Sequence, residues 1–233
     1  MRSYVPTRNR ARIFTIFISI FLASRLLGFI LSLIFYASPD LALTASDPNS
    51  AFALFSLLLQ STAFLSYICT IIFFLMWLYS SYANLSAFGI EGLNSSPGWA
   101  VGSWFIPFYN LFKPLGVVSE VWNNSEEAAV EENEGFFVSY SNTGAPPKLI
   151  TWWVFWLLAI FASNFVPTER QAETLDYEAH VFLVFLIGIV TFFFIVSGLL
   201  LINIVRTITT RQELQAIATK NQMLDAVPEP PTF

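Results

Sequence analysis

The chain has 233 residues, of which 55% are hydrophobic and only 12% charged, with 25 phenylalanines and a formal net charge of −5. A soluble domain carries about 25% charged residues, so this composition excludes an ordinary water-facing surface. The negative balance and the lack of a dense basic stripe exclude nucleic-acid binding.

Residues 1–12 form a basic N-terminus carrying Arg2, Arg8, Arg10 and Arg12. An apolar run from Ile13 to Tyr36 follows. The pair resembles a secretory signal, but 24 residues exceed the roughly 7–15 of a signal's apolar region, so the run is expected to remain as a first helix. Three further runs are Phe52 to Tyr79, Leu149 to Val166 and Val181 to Val205, and Arg25 is the only charged residue in all four. About 20 residues at a 1.5 Å rise cross a hydrocarbon core of about 30 Å. The expected architecture is an all-α integral membrane protein with four transmembrane helices, 13–36, 52–79, 149–166 and 181–205, within a membrane domain at 13–205. A cytoplasmic tail at 206–233 completes it. The single Cys69 lies inside the second run, with no disulfide partner.

Four spans place both termini on one face. With those termini inside, Arg2, Arg8, Arg10, Arg12, Lys113, Lys148, Arg206, Arg211 and Lys220 fall on the cytoplasmic side and Arg170 alone falls outside. The outer loops, Ala37 to Ala51 and Pro167 to His180, are acidic. Trp77, Tyr79 and Tyr82, with Trp152, Trp153 and Trp156, supply aromatic anchors at the cytoplasmic headgroup level.

Between the second and third runs, Pro97 to Trp122 is rich in aromatics but interrupted by Pro107, Asn110, Lys113 and Pro114. Proline forbids a straight helix there, and a crossing would translocate one of the basic termini. The segment 97–122 is therefore expected to be a broken helical element, re-entrant or interfacial. Residues 123–148, with Glu126, Glu127, Glu131, Glu132 and Glu134, are expected to be a solvated acidic linker. They lack the pattern of a calcium loop, and no metal or cofactor is expected.

Trp77 to Gly89 (Trp-Leu-Tyr-Ser-Ser-Tyr-Ala-Asn-Leu-Ser-Ala-Phe-Gly), Ser96-Pro-Gly-Trp-Ala-Val-Gly102, Trp104-Phe-Ile-Pro-Phe-Tyr-Asn-Leu-Phe-Lys-Pro114 and Glu120-Val-Trp122 resemble the signature of a bacterial membrane family called domain of unknown function 4328. Val205 to Glu213 resembles its C-terminal edge. The positions carrying the motif are Pro97, Gly98, Trp99, Gly102, Trp104, Pro107, Asn110, Pro114 and Trp122. The resemblance implies an order of helices and no activity.

Arg25, near the middle of its run, costs roughly 2.5–3.5 kcal/mol on insertion scales and needs a partner or water. Glu120, Asn84, Asn110 and Asn203 are the polar side chains weighed for that role. Arg25, Asn84, Asn110, Lys113 and Glu120 form the candidate polar pocket, against a reading in which Arg25 is structural and Asn110 and Lys113 serve as a cap and a headgroup contact. Ser24, Gly28, Ser32, Gly188, Ser197 and Gly198 are expected to serve close helix packing. Leu214, Ile217 and Leu224 give the tail an amphipathic face.

His180 stands without a nucleophile and orienting acid, and no catalytic constellation is present. The sequence is read as a non-enzymatic scaffold, regulator or assembly partner in the bacterial cytoplasmic membrane. Its expected partners are the bilayer and either further copies or other membrane proteins. The alternative is a small transporter or channel acting as an oligomer around a polar pocket near Arg25 and Asn110.

Overall fold

The computed structural model is helical wherever it is regular over the residues it describes, 3–38, 41, 47, 50–126, 144–167 and 177–225. In chain order these give α1 (Arg8–Ala37), α2 (Ala51–Ala87), α3 (Pro97–Gly102), 3-10 turns at Ser103–Phe105 and Tyr109–Leu111, α4 (Lys113–Glu126), α5 (Pro147–Ser163) and α6 (Tyr177–Asp225). Three helices are long and apolar enough to cross a membrane: α1, α2 and residues Glu178–Gln222 of α6. α5 is apolar but shorter, 17 residues or about 26 Å. The chain is a helical membrane protein.

The helices outrun the apolar stretches that announce them. α2 continues past Tyr79 to Ala87, and α6 extends for 49 residues, about 74 Å, well beyond Val205. α2 ends where Gly89 adopts φ +80, and the backbone amides of Phe88, Gly89 and Ile90 close onto the carbonyls of Asn84, Ser86 and Leu85. Only glycine enters that region without strain. α3 starts where Ser96 accepts a bond from the Trp99 amide and Pro97 takes the first helical position.

The segment between α2 and α4 is broken, as the prolines require. Two 3-10 turns replace a continuous helix, and Phe108 takes φ 64 between them, a left-handed conformation disfavoured for a bulky residue. The acidic stretch, however, does not begin as linker at Asn123. α4 continues to Glu126 with Ser125 fully buried, because the Ser125 hydroxyl bonds back to the Val121 carbonyl on a face that packs. Residues 127–143, most of the outer-loop positions and the tail after 225 lie outside the described residues.

The chain divides into two compact units. The first comprises Met1–Arg12, Phe73–Leu149 and Asn203–Phe233. Its core contains Trp77, Leu78, Tyr82 and Leu85 of α2, Val117, Val118, Val121 and Trp122 of α4, and Ile204, Val205 and Ile208 of α6. Along the C-terminal part of α6, Ile208 and Gln212 are buried, while Leu214 and Ile217 of the amphipathic face are exposed.

The second unit comprises Ile13–Ile72 and Ile150–Ile202. Aromatic contacts hold its helices, with Phe21 5.2 Å from Tyr67 and 5.7 Å from Phe194, and Phe155 5.6 Å from Phe193, centroid to centroid. A Cβ on Gly198 would meet Leu22 at 2.8 Å and one on Gly188 would meet Phe29 at 3.0 Å, so these two glycines set the approach of α1 and α6. Gly28 faces open space, contrary to its expected packing role. Leu54, Leu57, Leu58, Phe64 and Phe161 are exposed, as on a surface solvated by lipid.

Candidate functional site

The polar side chains of the first unit form a connected network around the end of α2. Asn84, 1% exposed, accepts a bond from the Val5 amide at 2.9 Å and donates to the Val5 carbonyl at 3.0 Å and to Gln212 Oε1 at 3.2 Å. Gln212 in turn donates to the Ser81 carbonyl at 2.9 Å and to Ser125 Oγ at 3.3 Å. One buried amide pair therefore ties the N-terminal arm, α2, α4 and α6 together. The Trp77 indole N–H adds a bond to Thr209 Oγ1 at 2.9 Å.

Glu120 has a separate task. Its carboxylate accepts from the Tyr82 hydroxyl at 2.7 Å and from the backbone and side-chain nitrogens of Asn94 at 2.7 and 3.1 Å, while the Tyr82 oxygen accepts from the Ser95 amide at 3.0 Å. This fixes the turn that launches α3. Arg8 pairs with Glu213 and Arg10 donates to Ser80 Oγ, pinning the start of α1 in the same unit. Burial, with the nearby Glu213 carboxylate adding to it, pushes the Tyr4 phenol above its ordinary pKa, and Arg8 opposes the shift.

The expected pocket residues fall in both units. Asn84, Asn110, Lys113 and Glu120 belong to the first unit and Arg25 to the second. Asn84 and Glu120 are consumed by bonds within the fold, and Asn203 accepts from Lys148. In the second unit the Arg25 guanidinium carbon lies 5.4 Å from the Phe194 ring centre, and its Nε is buried without a hydrogen-bond partner among the described residues. Thr191, one helical turn from Phe194, is also buried with its hydroxyl unpartnered. Asn110 has its side-chain oxygen buried and unpartnered, and Lys113 is half-buried at the first position of α4.

The motif positions build the broken segment itself. Trp104 packs on Phe74 of α2 at 5.2 Å, Trp99 on Tyr109 at 6.2 Å, and a Cβ on Gly102 would lie 3.7 Å from the Trp99 ring. Trp122 is buried, with the Arg211 guanidinium carbon 4.4 Å and the Lys148 ammonium 5.7 Å from its ring centre. Facing outward are Phe105, Phe108 and Phe112, 70%, 83% and 77% exposed. A family model described as "Domain of unknown function (DUF4328)" matches residues 41–210, which contain this whole segment.

The chain belongs to that family. No curated protein and no solved structure matches it. Within the DUF4328 match lie Asn84, Glu120, Lys148 and Asn203, whereas Arg25, Gln212 and the N-terminal arm fall outside it. Gln212, Asn94 and Ser125 do not stand out in the sequence, and Tyr82 stands out there only as an aromatic anchor. The signal for Gln212 is its place one turn after Ile208, continuing the buried stripe Ile204–Ile208.

The second unit contains one further feature, an apolar groove of about 580 Å³ lined by Phe29, Leu33, Tyr36, Val181, Val184, Phe185, Gly188, Ile189, Phe192 and Phe193. Its wall is hydrocarbon apart from the Tyr36 hydroxyl. Among the described residues no group of three or more His, Cys, Asp or Glu side chains is placed to hold a metal ion.

Proposed function

We propose that this DUF4328 protein is a non-enzymatic scaffold, regulator or assembly partner of the bacterial cytoplasmic membrane. The observation that supports this is the use of its polar side chains. Asn84, Gln212 and Glu120 spend their hydrogen-bonding capacity on bracing helices, so they are not presented to a substrate. In this reading α5 is the fourth span, both termini are cytoplasmic, and the broken segment dips into the interface on that side. Support for the dip comes from Trp104, whose ring rests on Phe74, about 7.5 Å inside the end of the apolar run at Tyr79. The exposed Phe105, Phe108 and Phe112 then meet lipid or an apolar partner rather than water.

A second reading, a small transporter or channel working as an oligomer, draws on the unpartnered Arg25 Nε and Thr191 hydroxyl in the apolar second unit. Crosslinking in membranes followed by quantitative co-purification tests the two. A reproducible set of protein partners, lost in an Asn84→Ala variant that weakens the brace, supports the scaffold. Solute flux through proteoliposomes holding only this protein, abolished by Arg25→Gln, would replace the scaffold with the transporter.

A further inference from the structure

We propose that the second unit is a docking site for a transmembrane helix of another protein that carries an aspartate or glutamate, and that Arg25 receives its carboxylate. The inference rests on the assembly-partner reading and names the chemistry of the partner.

Arg25 stands at the middle of the apolar run of α1, about 18 Å from its start at Ile13 and about 16.5 Å from its end at Tyr36. Phe21, one turn earlier on the same face, meets Tyr67 of α2 at 5.2 Å and Phe194 of α6 at 5.7 Å, so Arg25 stands beside a junction of three helices. Its guanidinium carbon lies 5.4 Å from the centre of that same Phe194 ring. Nε is buried with no acceptor among the described residues, although the residue as a whole is only half-buried. Gly28, one turn further along α1, faces open space, which leaves room beside Arg25 for the backbone of another helix.

The charge pattern of the chain decides what fills that room. Arg25 is the only charged residue in all four apolar runs, so a second copy brings another arginine to this depth and no acid. Lipid phosphates sit at the ends of the run, beyond the reach of an arginine side chain from its centre. An ionised carboxylate at the same depth offsets the cost of the guanidinium, and its two oxygens match the guanidinium fork.

The carrier of that carboxylate must itself be apolar. The groove of about 580 Å³ begins one turn beyond Arg25 at Phe29, and its wall is hydrocarbon apart from the Tyr36 hydroxyl. It spans about two turns of α1, Phe29 to Tyr36, and about three turns of α6, Val181 to Phe193. Those are the dimensions of one face of a packed helix. A helix also holds its acid at the bilayer centre by its covalent chain, whereas a fatty acid or a free anion would draw its charge back to water.

Synthetic helices test the site on the full chain. The protein is reconstituted in phosphatidylcholine vesicles with dansyl-labelled helices of about 20 leucines and alanines between flanking lysines, carrying one central Glu or one central Gln. Energy transfer from the chain's tryptophans reports association. At about pH 8, wild type is expected to bind the Glu helix about tenfold more tightly than the Gln helix. Arg25→Gln should erase that preference, and Arg25→Lys, which keeps the charge, should retain most of it. Gly28→Leu, which fills the open space, should weaken binding of both helices. Equal binding of the two helices by wild type would overturn the site whatever the variants do. A preference that persists in Arg25→Gln would overturn it by placing the acceptor elsewhere. Displacement of the Glu helix by millimolar acetate would also overturn it, by making a free carboxylate the ligand. Absence of any crosslinked partner in membranes would defeat the assembly reading itself, whereas equal binding of the two helices defeats only the docking site.

Discussion

Replacing Asn84 by alanine removes the center of the polar brace without touching the apolar core. Three hydrogen bonds disappear, two to the backbone of Val5 and one to Gln212 Oε1, the last of these on a fully buried side chain. Net hydrogen bonds contribute about 0.5–1.5 kcal/mol each, and a buried acceptor left bare costs about 1–3 kcal/mol. Some of the loss is recovered because water reaches the freed Val5 groups, which leaves about 2–4 kcal/mol. At about 2–4 °C per kcal/mol for a chain of this size, Tm in detergent, followed by tryptophan fluorescence, should fall by roughly 4–16 °C. Hydrogen exchange should accelerate at Val5 and along the start of α1, since that arm is held by this side chain. Asn84→Asp should be worse than alanine, because it sets a carboxylate against the Val5 carbonyl and Gln212 Oε1. A Tm within about 2 °C of wild type, with unchanged exchange at the N-terminal arm, would refute the brace.

Arg25→Leu should raise Tm, because it removes an insertion cost of about 2.5–3.5 kcal/mol in exchange for one cation–π contact of about 0.5–2 kcal/mol; a clear fall in detergent melting would expose an anionic partner. Phe108→Gly should stabilise by about 1 kcal/mol through relief of the positive φ, while Phe108→Ala should not, and chemical melts giving equal values for the two would contradict the strain. Gly198→Val should cost about 1–3 kcal/mol by driving a side chain into Leu22, whereas Gly28→Ala, in open space, should be neutral or gain up to about 1 kcal/mol; the same thermal melts check both.

Much of the fold was legible because hydrocarbon must be matched by hydrocarbon. The apolar runs become helices, Pro107 stands in the break between the two 3-10 turns, and Pro114 sits in the first turn of α4, where proline is tolerated. The helix ends were less legible. Ser80, Ser81 and Asn84 lower the hydropathy of α2 past Tyr79, yet all three are buried: Ser80 bonds back to the Met76 carbonyl, Asn84 bonds the N-terminal arm and Gln212, and Ser81 offers its backbone carbonyl to Gln212. Such pairing joins residues as far apart as Asn84 and Gln212, which no local pattern encodes. For the same reason Arg25 and Glu120 looked like a possible pair by composition, while the structure assigns Glu120 to Tyr82 and Asn94. The cation cluster at Trp122 was visible only as scattered basic residues in the sequence.

The membrane topology is tested most directly by cysteine accessibility in intact cells, in a Cys69→Ser background. Four spans with both termini inside require an impermeant maleimide to label Asp47→Cys and to spare Glu91→Cys and Lys220→Cys until the cells are permeabilised. Labelling of Lys220→Cys in intact cells would put the C-terminal part of α6 outside and show that α5 does not cross. Labelling of Glu91→Cys would place the broken segment on the outer face and contradict the proposed orientation.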